Sequence, residues 1–210
     1  MLKLRRSFYA RIFDVRIFCA RPLALLGTVL LLGSALAALG QVDAATRAKG
    51  MRVKALIDMI KGETERSAAP LGRTEAVSED DLNAYIACRL CDDREPVMKE
   101  LRLKLLEGNR FEGMTVLDLE GADLPAPLRG RLDVYFAGRL ETEAGAVRLD
   151  IGTFFINGQK VRPEILDVVI SVGSRLSGTE PFSLRDWYIL PYGLRDLAVD
   201  RGRLLASYSP

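Results

Sequence analysis

The chain has 210 residues, three cysteines, no histidine and a formal net charge of +2. Residues 1–40 hold six bases against one acid, which leaves 24 bases and 27 acids in the rest of the chain. An acidic body is not an ordinary nucleic-acid binder, and a chain without histidine excludes Ser-His-Asp and Cys-His catalysis as well as histidine-ligated zinc or haem.

The bases Lys3, Arg5, Arg6, Arg11, Arg16 and Arg21 define a basic segment over residues 1–21, and from Pro22 to Val42 no residue is charged. A helix needs about 20 mostly apolar residues to cross the hydrocarbon. Residues 22–42 therefore read as a transmembrane anchor. With all six bases ahead of it, the N-terminus is cytoplasmic and the body lies outside a bacterial inner membrane. The alternative is a secretory signal peptide with the apolar run as its core and Ala35-Leu36-Ala37 as a cut site. Cys19 precedes the apolar run and is not placed as a lipoprotein cysteine.

In residues 43–66, Val53, Leu56, Ile57 and Ile60 recur at helical spacing. Residues 67–76 mix Pro, Gly, Ser and Thr as loops do, so 43–76 reads as a helical stalk and linker. Ser78 with three acids behind it is a capping box opening a second helix, with an apolar face of Leu82, Tyr85, Ile86 and Leu90. The period then changes to two. Leu101, Leu103 and Leu105 alternate with bases, residues 110–120 return, and Leu132 to Leu140 pairs through a turn with Val147 to Phe155. Val161–Leu176 is a third helix with Pro163 in its first turn and a broad apolar face. Residues 177–192 form an aromatic loop carrying Phe182, Trp187, Tyr188 and Tyr192, and a hairpin turns at Asp200–Gly202. The expected fold is α+β: an N-terminal transmembrane or signal helix, then one domain over 77–210 of curved antiparallel sheet with helices packed on it.

Cys88 and Cys91 form a CxxC at the C-terminal end of the second helix, followed by Asp92 and Asp93. A thioredoxin-like site needs the motif at a helix N-terminus, where the dipole favours a thiolate, and one CxxC supplies only two zinc ligands. The pair reads as structural, with a local disulfide between Cys88 and Cys91 as the alternative in an oxidising compartment. The acid pairs Asp80-Asp81, Asp92-Asp93 and Glu141/Glu143 lack calcium-loop spacing and stand where solvated acids are expected. Serines fall outside hydrolase motifs, and no phosphate-binding glycine loop occurs. No cofactor or metal is implied. The functional content is diffuse: apolar faces of the strands and of helix 161–176 that could enclose acyl chains. The groove candidates are Leu132, Val134, Phe136, Ile165, Val169 and Val172, with Trp187 and Tyr188 at the rim.

Several short stretches carry a resemblance. They are Val77-Ser78-Glu79-Asp80-Asp81-Leu82-Asn83-Ala84-Tyr85, Gly138-Arg139-Leu140, Pro163-Glu164-Ile165-Leu166 and Leu190-Pro191-Tyr192-Gly193-Leu194-Arg195-Asp196-Leu197, closed by a Gly-containing hairpin. In this order residues 77–208 resemble bacterial envelope proteins and, more distantly, the LmeA-like periplasmic phospholipid-binding proteins, whose fold is similar to half of a TULIP domain. The resemblance implies a lipid groove between curved sheet and long helix, with Pro125–Pro127 and Phe182–Tyr192 as rim elements. The CxxC departs from that pattern. The resulting expectation is a single-pass, membrane-tethered, non-enzymatic protein that binds a phospholipid or another acyl-chain ligand and no nucleic acid. Its rivals are an envelope scaffold with a filled core and a protein partner, and a thiol-redox accessory protein.

Overall fold

The computed structural model describes residues 42–65, 72–93, 97–120, 128–162, 164–176, 183, 185–191 and 193–208. The basic segment, the apolar run up to residue 41, Cys19, the Pro125–Pro127 loop, Pro163, Phe182 and Tyr192 lie outside the described residues. Among the described residues no helix is long and apolar enough to cross a membrane.

Helix α1 (Ala44–Glu65) is opened by Asp43, whose carboxylate accepts from the Thr46 backbone N–H and hydroxyl. It buries Val53 and Ile60, seven residues and two turns apart. Strand β1 (Thr74–Ser78) follows and runs straight into helix α2 (Glu79–Asp92). Ser78 is the N-cap, its hydroxyl accepting from the Asp81 N–H at 3.1 Å. The carboxylate of Asp81 pairs with Arg52 of α1 at 2.5 Å. The two helices meet at Gly50, where a Cβ would lie 2.9 Å from the Cys88 sulfur and 3.0 Å from the Ala84 carbonyl oxygen. Exposed ion pairs Arg47–Asp92 and Lys49–Asp80 flank this contact. Pairs of that kind add little stability each, so the close approach at Gly50 sets the packing.

The main sheet is antiparallel. Strands β2 (Met98–Leu106), β3 (Arg110–Leu119), β4 (Gly130–Glu143), β5 (Ala146–Ile156) and β6 (Gln159–Lys160) are neighbours in that order. Helix α3 (Glu164–Leu176) comes next, then β7 (Tyr188–Ile189), which adds to the start of β5. Strands β8 (Leu194–Asp200) and β9 (Arg203–Tyr208) do not extend this sheet. They form a second sheet of order β1-β9-β8, with Thr74 opposite Ser207 and Ser78 opposite Arg203. The sequence pattern gave β1 as loop and helix start, because the strand buries only Val77 and its partner is remote in the chain.

The main sheet curls strongly into a half-barrel. Its register shifts at Ala137/Gly138 against Thr153/Ile151, leaving Gly152 as an extra residue in β5, and a second shift lies between Met98 and Glu100. Such bulges bend strands and increase twist. At the first bend a side chain on residue 138 would put its Cβ 2.3 Å from the Asp150 carbonyl oxygen, so glycine is required there.

Cross-strand register gathers one set of residues on the concave face. Phe111, Gly113, Thr115, Leu117 and Leu119 of β3 stand opposite Gly138, Phe136, Val134, Leu132 and Gly130 of β4. Two core clusters occupy its ends. One joins Val97, Leu117, Leu119, Leu132, Val134, Phe154 and Ile156 to Val169 of α3. The other joins Leu105, Phe111, Leu140 and Ile151 to Val199 of β8, with Leu82, Leu197 and Leu204 packed on it. Phe136 and Leu166 touch both.

The free edge of β2 is covered rather than open. Asn83 of α2 donates to the Leu103 carbonyl and accepts from its N–H, at 2.8 and 2.7 Å. Leu105 donates to Glu79 Oε2, and its carbonyl accepts from Gly202 N–H. Satisfying these groups removes a template for strand addition.

Candidate functional site

The concave face under α3 carries the candidate groove residues. β4 contributes Leu132 and Val134, which are 1% and 4% exposed, and α3 contributes Val169 at 2%. Phe136, Ile165 and Val172 are half-buried and pack against the same cluster. All six candidates are thus brought together, because alternate positions on one strand and helical-period positions on α3 point to one side. The face also includes Leu117, Leu119, Phe154, Ile156, Val161 and Leu166. On β3 the same alternation carries Leu117 and Leu119, whereas on β5 the extra residue Gly152 shifts the phase, so the face holds Phe154 and Ile156 rather than the Phe155 that strict alternation from Val147 to Ile151 would give.

Trp187 and Tyr188 stand elsewhere along the sheet. Tyr188 is opposite Val147, whereas Val134 of the cluster is opposite Ile156. The nine residue steps from Val147 to Ile156 are about 30 Å along the strand. Trp187 is 39% exposed and lies under the Arg148 guanidinium, 4.8 Å from its ring centroid. The Tyr188 hydroxyl donates to the Ser183 carbonyl, and the Ser183 hydroxyl donates to Asp167 of α3 at 2.9 Å. Arg185 pairs with Glu164 at 3.6 Å. The aromatic segment therefore straps the first half of α3 to the start of β5. Burial pushes the Tyr188 hydroxyl pKa up, and the Asp186 charge adds to that.

The polar chemistry of the face is used up internally. Thr115 is buried, and its hydroxyl donates to the Glu100 carbonyl at 2.6 Å, beside the β2 bulge. Five of the six acids in the acid pairs have ion-pair partners: Asp80 with Lys49, Asp81 with Arg52, Asp92 with Arg47, Asp93 with Arg89, and Glu141 with Arg148. Among the described residues no group of three or more acids or cysteines could hold a metal ion. Cys88 and Cys91 both carry thiols in the last turns of α2, Cys88 buried and Cys91 half-buried.

On the convex face, Met114, Tyr135 and Phe155 stand side by side across three strands, with Tyr135 and Phe155 edge to face at 5.9 Å. Met114 is 64% exposed. No protein-family model, curated protein or solved structure matches the chain.

Proposed function

We propose that residues 77–210 form a non-enzymatic lipid-handling domain of the bacterial envelope, tethered through the apolar segment 22–42. The acyl-chain site is the concave face of the curled sheet, and α3 is its lid. The observation that supports this reading is chemical. The face from Leu132 to Leu140, with its neighbours on β3 and β5, presents branched aliphatic and aromatic side chains, and its buried hydroxyl at Thr115 is already bonded. Such a surface can recognise only apolar matter. Ile165, Val169 and Val172 of α3 pack onto it. An acyl chain would take their place as the helix lifts, exchanging one apolar contact for another at small net cost. The phospholipid binding of LmeA-like proteins and their half-TULIP fold fit the same arrangement of sheet and helix.

The test uses the full chain in bacterial cells supplied with a photoactivatable fatty acid that is built into phospholipid. After irradiation, the crosslinked peptides are mapped by mass. Adducts on peptides containing Phe136, Ile165 or Val169 are expected. Adducts confined to residues 22–42, or none, would overturn the reading.

A second reading has its own observation. Leu119 and Phe154 are fully buried beside Leu132 and Val169, so the cluster is closed as it stands. A permanently filled core would make the domain a scaffold, with exposed Met114 and the half-buried Tyr135 and Phe155 beside it as the surface for a protein partner.

A further inference from the structure

We propose that Cys88 and Cys91 are a paired thiol–disulfide site in which Cys91 takes the first exchange and Cys88 resolves it. The two stand three residues apart in the last turns of α2. Regular helix geometry separates such Cα atoms by about 5 Å, inside the range of about 4.4–6.8 Å that a disulfide spans. The Cα spacing permits the bond, and closing it draws the side-chain carbons from the about 5–6 Å of a regular helix to the about 3.5–4.5 Å a disulfide spans, a local tightening of the last turns.

The division of roles comes from Gly50. The backbone of α1 lies so close over Cys88 that a single carbon added to Gly50 would sit 2.9 Å from the sulfur. No bulky group fits on Cys88 while α1 is seated. Cys91 is half-buried, one turn further along and nearer the helix end. An external disulfide reaches that sulfur first. The Cys91 thiolate attacks one sulfur of a low-molecular-weight disulfide and expels one thiol. The Cys88 thiolate then attacks Cys91 Sγ and expels the second thiol. Two protein thiols are oxidised, one external disulfide is reduced to two thiols, and the protons released by the protein are taken up by those leaving groups.

The surroundings say what such a bond is for. Burial raises the Cys88 pKa, and the Asp92 charge adds to that against the opposing Arg47. The C-terminal end of a helix dipole also disfavours a thiolate. Dithiols whose thiolates are stabilised make strong oxidants, as a destabilised disulfide gives up its bond readily. Here the balance is reversed, so the disulfide is retained rather than passed on. The bond joins two residues of α2 and makes no link to α1, so it staples the last turns of that helix, a structural device added after folding and not a redox catalyst.

The full chain is treated with oxidised glutathione, quenched with an alkylating agent and mapped by mass. The wild type is expected to lose both alkylation sites at Cys88 and Cys91 and to carry no glutathione on either. Cys88→Ser should accumulate one glutathione on Cys91, and Cys91→Ser should leave Cys88 as a thiol. Glutathione held stably on Cys91 of the wild type, or found on Cys88 of Cys91→Ser, would overturn the assignment, as would two thiols persisting after exhaustive oxidation. The wild-type and Cys91→Ser results suffice even where Cys88→Ser, altered at a buried position, does not fold.

Discussion

The ring of Phe136 covers the backbone of Gly113 on the neighbouring strand. A Cβ at residue 113 would lie 2.1 Å from Phe136 Cζ and within 2.7 Å of both Cε atoms. The glycine, weak in a strand on its own account, opens the space in which the ring reaches Phe111 edge to face, 6.2 Å away. That ring joins the two ends of the concave face, since Phe136 packs on both clusters. Gly113→Ala should therefore evict the ring. The expected loss is about 1–3 kcal/mol in urea unfolding, as for other overpacked cores. Combining it with Phe136→Leu should recover part of the loss. Strictly additive effects in the double variant would show that the two residues are not coupled.

Asn109 docks the second sheet on the first. Its backbone is left-handed, with φ of 58°. Its carbonyl accepts from Leu140 N–H, its N–H donates to the Val199 carbonyl, and its side-chain oxygen accepts from Val199 N–H at 2.8 Å. Val199 is buried in the cluster that closes this end of the sheet. Asn109→Gly keeps the backbone geometry but strands the Val199 N–H, at about 1–3 kcal/mol. Asn109→Ala adds a left-handed cost of about 1–2 kcal/mol. Asn109→Asp retains the acceptor and should fall closest to wild type. Equal unfolding midpoints for the Gly and Asp variants would remove the side-chain bond from this account.

These relationships mark where the sequence stops being readable. Periodicity gave a helix over 43–66, observed at 44–65, a second from Ser78 to about Asp92, observed at 79–92, both hairpins of the main sheet and the final hairpin, because each is a local pattern. It placed Leu132, Val134, Phe136, Ile165, Val169 and Val172 on inward faces, and all six meet. It did not show that β8 and β9 leave the main sheet to pair with β1, since that depends on a partner more than a hundred residues away. Helix α3 starts at Glu164 rather than Val161 because Val161 N–H still donates to the Phe154 carbonyl and so continues the β6 pairing. Trp187 and Tyr188 were readable as an aromatic loop, but loop composition carries no information on which end of β5 it reaches.

Asp43 gives α1 a pH-dependent start. Its backbone and side-chain hydrogen bonds with Thr46 hold the carboxyl below the usual carboxylate range. A group depressed in the folded state stabilises fully above its unfolded pKa of about 4 and loses that contribution as pH falls through the folded value. The Thr46 amide should therefore become less protected on acidification below about pH 4, ahead of amides deeper in α1. Asp43→Asn keeps an N-cap acceptor that does not titrate. Its Thr46 amide should show no such acid step, and a step of unchanged size would assign the effect to another carboxylate.

The lid reading of α3 can be tested by fastening the helix down. Gly173 faces the start of β2, where an added Cβ would lie 3.4 Å from a Val97 methyl. The pair Val97→Cys and Gly173→Cys, placed in a chain whose Cys19, Cys88 and Cys91 are serine, is positioned to close a disulfide between helix and sheet. Oxidation should stabilise the lipid-free domain by about 2–4 kcal/mol, as crosslinks over long loops typically do. It should also abolish photo-crosslinking of acyl chains to the Phe136 and Ile165 peptides, and reduction should restore it. If the oxidised and reduced forms load lipid equally, α3 does not gate the concave face. If neither form loads while the parent chain does, the substitutions have damaged the site itself, and Gly173→Cys alone separates that outcome from gating, because it cannot form the staple.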